Sequence, residues 1–398
     1  MTLDPLETLA ELVAIPSVNP MGGPAEGPHY GTARLTDYLE RVVRGMGLTV
    51  QRQPVARGEA NLLARLNGDP PAECGGPLLL LGAHQDTVPV EGMKIDPFRP
   101  EIRQDRLYGR GSCDVKGGMA AMLVALARLA EEPASRRPTV VMACTVNEEH
   151  GFSGASALVR LWAGESGGIF GRKPDAAVIA EPTGLNVVVA HKGVVRWRCH
   201  TRGRAVHSSR PEMGENAIYK MARGLVAIER YQGEIVGNVA SHPLCGRSTI
   251  SVGTIRGGSS VNIVPDRCTI EIDRRLPPGE SPESARRHLV DYLAAQGLGF
   301  MEHEPPYMQG PPLADEHNGK LAERLVNVAA QVAGASRKIA VAYATDGAFC
   351  AAAGVPTVIF GPGAIDQAHT DSEWIALDQL RQGAEIYYRF LRSCAPQR

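Results

Sequence analysis

Histidine and acidic side chains follow three apolar runs whose length is typical of buried strands. They are His84 and Asp86 after Pro77–Leu81, Glu148 and Glu149 after Thr139–Val146, and Glu181 after Ala176–Ala180. Ligands bind doubly wound sheets beyond the carboxyl ends of the strands, so these side chains should meet at one edge. Asp114, which precedes a predicted helix, and His369, nine residues past another apolar run, are candidates for the same edge.

Imidazole nitrogens mixed with carboxylate oxygens are typical ligands of a divalent metal ion. This set favours zinc, with manganese or cobalt as alternatives. Each residue alone is a weak signal, because a single histidine or a pair of adjacent glutamates is more often packed or solvated. Their joint placement after predicted strands makes a metal site the better interpretation.

The spacing of these residues suggests how they divide the chemistry. His84 and Asp86 are two residues apart, so in an extended chain their side chains lie on the same side. We therefore predict that the Asp86 carboxylate accepts a hydrogen bond from the second imidazole nitrogen of His84. Glu148 and Glu149 are adjacent and should point in different directions. One can then bind metal while the other stays free as a base, since a metal-bound carboxylate loses much of its basicity.

The surrounding pattern predicts two domains, as expected for 398 residues. Residues 1–184 and 308–398 alternate strand and helix patterns, which predicts a mixed, largely parallel sheet with helices on both faces. Residues 185–307 instead follow a β-α-β-β-α order, which predicts an inserted ferredoxin-like α+β domain. The turn-rich stretch Glu304–Pro312 is interpreted as a linker.

Composition argues against several classes of protein. A net charge of -1 disfavours nucleic acid or an anionic membrane as a partner. No apolar run has the length of a membrane span, and the N-terminus does not resemble a signal peptide. Eight scattered cysteines without a CxxC pair suggest reduced thiols in a cytoplasmic protein. The absence of GxGxxG at the first strand–helix junctions disfavours a dinucleotide-dependent oxidoreductase, and the absence of GxSxG disfavours a serine hydrolase.

Five segments resemble signatures of the zinc aminoacylase/carboxypeptidase family, most closely its acetylornithine deacetylase and succinyl-diaminopimelate desuccinylase branch. They are His84–Pro89, Gly109–Gly118, Asn147–Glu149, Val206–Pro211 and Gln367–Glu373. The resemblance follows the chain in order over nearly its whole length. It implies a zinc-peptidase-like catalytic domain and an inserted lid and dimerisation domain.

The resemblance also implies a centre of two divalent ions, zinc first. The implied ligands are Asp114, shared by both ions, His84 and Glu181 at one ion, and Glu149 and His369 at the other. Glu148 would be the general base that deprotonates the attacking water and later protonates the leaving nitrogen. Asp86 would be the partner of His84, and the Asp114–Val115 peptide would be cis.

In the inserted domain, the resemblance implies that His207 and Asn262 reach the active site of a partner subunit in a homodimer. There His207 would help to bind the oxyanion of the tetrahedral intermediate. The family's D-x-R pattern makes Arg275 the candidate for binding the substrate carboxylate, and strand alternation puts Arg274 on the opposite face. Gly363 would line the pocket through its backbone.

The leading hypothesis is therefore a two-metal amidohydrolase that cleaves a small N-acyl amino acid, with deacetylation as the first choice. The alternatives within the same family are a dipeptidase or carboxypeptidase, and a desuccinylase of an N-succinyl diamino acid. A catalytically silent homologue that binds a ligand or a partner is a more remote alternative. It predicts the loss of a metal ligand or of the base, yet each of these residues is present.

Overall fold

The computed structural model describes residues 2–163, 168–236 and 241–396. The chain divides into two compact units, one of residues 1–189, 314–339 and 345–398 and one of residues 190–313 and 340–344. The second unit begins five residues and ends six residues later than the inserted domain predicted from the sequence. None of the helices in the described ranges combines the length and apolar character that a membrane span requires. Each of the eight cysteines is a free thiol.

Both units contain helices and strands. The helices are α1 Pro5–Ala14, α2 Ala33–Gly45, α3 Lys116–Glu131, α4 Ser153–Ala163, α5 Ala217–Arg230, α6 Pro282–Leu293, α7 Gly319–Ala333, α8 Gly347–Ala352 and α9 Leu377–Ser393. The strands are β1 Thr49–Ala56, β2 Glu59–Leu66, β3 Leu78–His84, β4 Glu101–Arg103, β5 Arg106–Tyr108, β6 Thr139–Thr145, β7 Ala176–Ile179, β8 Val187–His191, β9 Gly193–Arg202, β10 Thr249–Gly257, β11 Arg267–Leu276, β12 Glu302–His303, β13 Met308–Gly310, β14 Lys338–Val341, β15 Thr357–Ile359 and β16 Trp374–Ala376.

The large sheet has the order β1-β2-β6-β3-β7-β15-β8-β14. Its central strands β6, β3, β7 and β15 are parallel. β1 pairs antiparallel with β2, β2 with β6, and β8 with β15. The predicted mixed, largely parallel sheet is thus confirmed. The central strands are buried along their whole length, which is why they appear in the sequence as uninterrupted apolar runs.

The register of the central strands brings their carboxyl ends to one edge. His84, the last residue of β3, lies opposite Thr145, the last residue of β6. On the other side of β3, Gly82 pairs with Ile179, the last residue of β7. The segments that follow these strands therefore leave the sheet side by side. They carry the acidic residues that the sequence analysis singled out.

Helix α3 begins just after Asp114 and is buried on nearly all sides. Its residues from Met119 to Ala125 share one apolar core with α1, α9 and the inward face of β3. A helix covered all round has a fixed position, because shifting it would open voids in a close-packed interior. The start of α3, where the candidate ligand Asp114 is located, is anchored in the same way.

The second unit has the strand order β10-β11-β9-β12, with β13 also paired to β9, and the described pairings are antiparallel. Together with α5 and α6 this gives the β-α-β-β-α-β order of a ferredoxin-like domain and confirms the prediction. Its core contains Trp197, Tyr231 and Leu289. The interpretation of Glu304–Pro312 as a linker was wrong in part, because β13 lies within it. Three residues are too few to show strand periodicity in the sequence.

Candidate metal centre

Five of the predicted side chains lie together in the first unit and form two overlapping groups. The groups are His84, Asp114 and Glu181, and Asp114, Glu149 and His369, with one ligand atom per residue within 4.8 Å of the others. His84 Nε2 is 3.1 Å from Asp114 Oδ1, and His369 Nε2 is 3.3 Å from Asp114 Oδ2. Asp114 thus presents one carboxylate oxygen to each group, as a carboxylate shared by two cations does.

Two of the candidate ligands have unusual backbone conformations at or beside them. The Asp114–Val115 peptide is cis, as the family resemblance implied. His369 lies in the loop between β15 and β16 with φ 60°, in the left-handed region. Its side chain is 52% exposed, whereas those of Asp114 and Glu149 are 8% and 6% exposed. The cluster is therefore open to solvent on the side of His369.

The cluster holds more buried negative charge than its histidines neutralise. Burial and neighbouring carboxylates raise the pKa of Glu148 and of Glu181 well above the ordinary value. Burial lowers the pKa of His84, but the surrounding carboxylates outweigh it and leave that pKa well raised. Hydrogen bonds to Asp114 and Glu149 raise the pKa of His369 to about 10. Each of these raised pKa values shows that binding a positive charge, as a proton or a cation, is favoured in the cluster.

The donor atoms also suit divalent metal ions. Two imidazole nitrogens and three carboxylates are the mixed nitrogen and oxygen ligands that zinc, manganese and cobalt accept. Glu149 Oε1 is buried and has no hydrogen-bond partner among the described residues. A buried carboxylate oxygen without a donor is costly, and a bound cation would compensate it. The residues therefore fit a pair of divalent ions.

The prediction for the side chain of Asp86 was wrong in its atoms. His84 Nδ1 lies 2.8 Å from the backbone carbonyl of Asp86, and not from its carboxylate. A carbonyl can only accept, so His84 donates from Nδ1 and directs the lone pair of Nε2 toward the cluster. The side-chain alternation on which the prediction depended ends with β3, whose last residue is His84.

The carboxylate of Asp86 holds the adjacent glutamates instead. Asp86 Oδ1 accepts a hydrogen bond from Glu148 N and Oδ2 accepts one from Glu149 N, each at 3.1 Å. One residue thus orients His84 through its backbone and the Glu148–Glu149 turn through its side chain. Glu149 belongs to the second group of candidate ligands, and Glu148 belongs to neither.

Glu373 is a residue whose function the sequence analysis missed, although it lies within a matched segment. Its carboxylate is fully buried and accepts from Arg110 Nη1 at 2.8 Å. It also accepts from the backbone N–H groups of Gly111, Cys113 and Asp114, each at 2.9 Å. The small sheet formed by β4, β5 and β16 brings these segments together, since Trp374 pairs with Tyr108. Glu373 therefore fixes the backbone that carries Asp114.

Asp346 is a second missed residue, in the first unit beside the candidate metal ligands. It is 4% exposed, and its Oδ2 accepts a hydrogen bond from Thr145 Oγ1 at 2.6 Å. Its Oδ1 has no partner within the described part of the chain. Burial raises the pKa of Asp346 to about 6. The only signal in the sequence is an acid directly before a short helix, which is too common to single out.

In the second unit, His207 and Asn262 lie side by side. Ser208 N donates to the Asn262 carbonyl at 2.9 Å, and His207 forms a β-bridge with Ile263. Both candidate residues are exposed. His207 Nδ1 accepts from Ser209 N at 3.2 Å, so in the neutral ring the proton is on Nε2. His207 can therefore act as a hydrogen-bond donor at its exposed edge.

The two candidate arginines of β11 have different environments. Arg274 is 2% exposed and bonded to Tyr231 Oη and to Glu280 Oε2 within the second unit. Arg275 is partly exposed, and its Nε lies 2.8 Å from Asp273 Oδ1. The predicted alternation of the strand holds, and only Arg275 has a guanidinium that solvent reaches substantially.

Gly363 is buried, and its backbone has φ 92°. Its N–H donates to Gln379 Oε1 at 2.8 Å, and its carbonyl accepts from Gly184 N at 2.6 Å. A Cβ at this position would lie 2.6 Å from Cys113 Sγ. These contacts hold the loop that follows Glu181 close to the segment before Asp114. The predicted lining of a substrate pocket by Gly363 stays a prediction.

The chain is similar in sequence and in structure to several known proteins. The model of the peptidase family M20/M25/M40 matches residues 80–393. An acetylornithine deacetylase from Erwinia tasmaniensis is 31% identical over 388 residues, which cover 93% of this chain and 92% of that protein. Among solved structures, an M20 family metallo-carboxypeptidase from Sulfolobus solfataricus has a TM-score of 0.78 at 19% identity, over 99% of this chain and 100% of that one. A dinuclear metal-binding peptidase of the M20 family from Bacillus subtilis has a TM-score of 0.67 at 15% identity, over 98% and 97%.

Proposed function

The chain belongs to the peptidase family M20/M25/M40, whose members are hydrolases acting on C–N bonds, and we propose that it is a two-metal amidohydrolase of small N-acyl amino acids. The observation that carries the proposal is the pair of ligand groups joined by Asp114, with the carboxylate of Glu148 outside both. That arrangement would suit two cations and a separate base. The deacetylase relative makes an N-acetylated basic amino acid our first choice of substrate.

Two divalent ions held by these groups, with zinc preferred, would polarise the amide carbonyl and lower the pKa of the attacking water. His84 and Glu181 would hold one ion, Glu149 and His369 the other, and Asp114 both. The tautomer that His84 needs as a ligand is set by its donation to the Asp86 carbonyl. Glu373 keeps Asp114 in place through the backbone of the Gly111–Asp114 segment.

Glu148 is the proposed general base. Its carboxylate takes the proton of the attacking water and then delivers it to the leaving nitrogen. A base that serves in both directions needs a pKa near the working pH. Burial raises the pKa of Glu148 above its ordinary value, and the charge of bound cations would lower it again. Asp86 positions it through the backbone N–H of Glu148. Catalysis thus depends on a carboxylate that is close to the metal ligands without being one of them.

The second unit supplies the proposed substrate contacts. We propose that Arg275 binds the substrate carboxylate, because its guanidinium is partly exposed and a guanidinium can bind a carboxylate through two hydrogen bonds. His207 would donate from Nε2 to the developing oxyanion, and Asn262 would line the same cleft. By family resemblance both act on the active site of a partner subunit. His207→Ala should then lower the turnover number while the metal content stays unchanged.

A homodimer is part of this proposal. A cavity of about 820 Å³ adjoins the His207 segment and is lined by Ser208, Tyr219, Val261 and Ile263 among others. Tyr219 is 72% exposed and Val261 is 99% exposed. Apolar side chains grouped beside polar candidate residues are typical of a surface that another protein covers. A second copy of the chain is the occupant that the role of His207 requires.

The alternatives concern the substrate more than the chemistry. A dipeptidase or carboxypeptidase, or a desuccinylase of an N-succinyl diamino acid, would use the same groups. A catalytically silent homologue is disfavoured because the five candidate ligands and Glu148 are all present and assembled.

A substrate panel tests the proposal. The purified protein is assayed with N-acetyl, N-formyl and N-succinyl amino acids and with dipeptides, before and after chelation, and after return of zinc, cobalt or manganese. We expect a chelator to abolish hydrolysis, metal to restore it, and an N-acetylated basic amino acid to be the best substrate. Hydrolysis that persists in metal-free protein, or no hydrolysis by protein with both ions bound, would refute the proposal.

A further inference from the structure

We propose that Asn19 is a positioning residue for Glu148, because its side-chain amide ties Asp86 to Asn147 and so fixes the turn that presents the base. Asn19 lies in the loop after α1 and is 5% exposed. The part of this inference that concerns turnover rests on Glu148 being the base of the proposed function. The part that concerns the geometry of the turn does not.

Both polar atoms of the Asn19 amide are hydrogen-bonded. Nδ2 donates to Asp86 Oδ2 at 2.8 Å and to Asn147 Oδ1 at 2.9 Å. Oδ1 accepts from Met21 N at 2.8 Å. The backbone N–H of Asn19 donates to Thr87 O at 2.8 Å, which fixes the residue beside the end of β3. A buried amide with all its partners has one orientation, because any rotation leaves a polar group unpaired.

Both partners of this amide control the turn. Asp86 accepts the backbone N–H groups of Glu148 and Glu149, so a shift of its carboxylate moves both residues. Asn147 precedes Glu148 and has φ 60°, a left-handed conformation that asparagine tolerates better than most residues. Its Nδ2 donates to Ser153 Oγ at 2.9 Å. Asn19 therefore connects the two anchors of the turn to each other.

Packing does not replace these hydrogen bonds. A cavity of about 310 Å³ is lined by Asn19, Asp86, Asn147 and Ser153 together with apolar residues such as Val18 and Val55. Side chains that border open space can move into it unless hydrogen bonds hold them. The amide of Asn19 thus restrains Asp86 and Asn147 on the side where close packing is lacking.

The substitution Asn19→Asp keeps the shape and exchanges the donor for an acceptor. The introduced carboxylate can still accept from Met21 N. Asn147 can rotate its amide to donate, since the hydroxyl of Ser153 can donate in return. The contact with Asp86 becomes repulsive, because two ionised carboxylate oxygens would meet where a hydrogen bond of 2.8 Å now lies. Asn19→Asp therefore acts on the position of Asp86.

We expect kcat of Asn19→Asp to fall about 10- to 100-fold with KM within about twofold, because misplacing a catalytic group by about 1 Å can cost 100-fold. Glu149 depends on the same carboxylate, so zinc titration of the metal-free protein should show one of two sites weakened about 10-fold or more. Asn318→Asp is the matched control. Asn318 is 2% exposed, and its amide donates to the carbonyls of Val189 and Thr357. Its substitution should lower thermal stability and leave kcat and zinc affinity unchanged.

Wild-type kcat and zinc affinity in folded Asn19→Asp would overturn the proposal, and so would equal losses in Asn318→Asp. If the substitution prevents folding, Asn19→Ala removes both donors without burying a charge and should show the same split between kcat and KM. Unchanged kinetics and zinc affinity in that variant would also overturn it. If wild-type protein hydrolyses no panel substrate, the proposed function fails, and the zinc titration alone decides whether Asn19 positions the turn.

Discussion

Glu373→Gln should destabilise the first unit far more than an ordinary loss of one charge. Glu373 and Arg110 form an ion pair of 2.8 Å in which the side chains are 1% and 4% exposed. Glutamine keeps the size, and its single oxygen can still accept from Cys113 N and Asp114 N. Its NH2 group would then face the donors of Arg110 and Gly111. Removing one partner of a buried pair leaves an uncompensated charge and costs about 3–5 kcal/mol.

The assay is urea unfolding of the metal-free protein, so that changes in metal affinity do not enter the measured free energy. Glu385→Gln is the matched control, because Glu385 pairs with Arg128 at 2.6 Å but the two side chains are 28% and 38% exposed. Exposed pairs contribute about 0–1 kcal/mol. Zinc affinity should fall in Glu373→Gln as well, since the backbone of Asp114 loses its anchor. Equal and small losses of stability in the two variants would refute the reasoning.

Three further predictions concern the proposed base, the two arginines of β11 and a buried histidine. Glu148→Gln should keep both metal ions and lower kcat about 10²- to 10⁴-fold, as metal analysis and steady-state kinetics would show; near-normal turnover would remove Glu148 as the base. Arg274→Met should cost about 3 kcal/mol or more of unfolding free energy, because the buried guanidinium of Arg274 pairs with the largely buried carboxylate of Glu280, which would lose its partner. Arg275→Met should instead raise KM about 10-fold or more; the reverse pattern would exchange their roles. His303 accepts a hydrogen bond from Trp197 Nε1, and burial lowers the pKa of His303 to about 4. The unfolded state therefore binds the proton first, and the free energy of unfolding should fall by up to about 3 kcal/mol as the pH drops from about 6.5 to 4. Urea unfolding across this range should show a smaller fall in His303→Gln, and an equal fall would contradict the assignment.

The candidate ligand groups could be predicted from the sequence because apolar runs reveal which strands are buried in the sheet. Buried parallel strands appear as continuous apolar stretches, and their carboxyl ends meet at one edge of the sheet. His84, Glu149 and Glu181 were placed together by that rule alone. His369 and Asp114 lie outside those strands, and the family resemblance assigned them to metal sites.

The residues that hold the cluster could not be predicted in the same way. Glu373 accepts the backbone N–H of Asp114 from 259 positions away, and three-residue strands bring the two together. Asn19 is 67 positions from Asp86 in the sequence and lies in a loop, where no periodic pattern marks its position. Such contacts join a carboxylate to a backbone or side-chain N–H donor from a distant part of the chain. No spacing in the sequence encodes these meetings.

The central claim is that two overlapping ligand groups joined by Asp114 operate as one hydrolytic centre. The most direct test is a zinc titration of metal-free protein in which bound zinc per chain and the rate of hydrolysis of an N-acetyl amino acid are measured on the same samples. We predict two zinc ions per chain at saturation, a rate that rises with their binding, and loss of both ions and of activity in Asp114→Asn. Binding of a single ion with full activity, or unchanged binding in Asp114→Asn, would contradict the account.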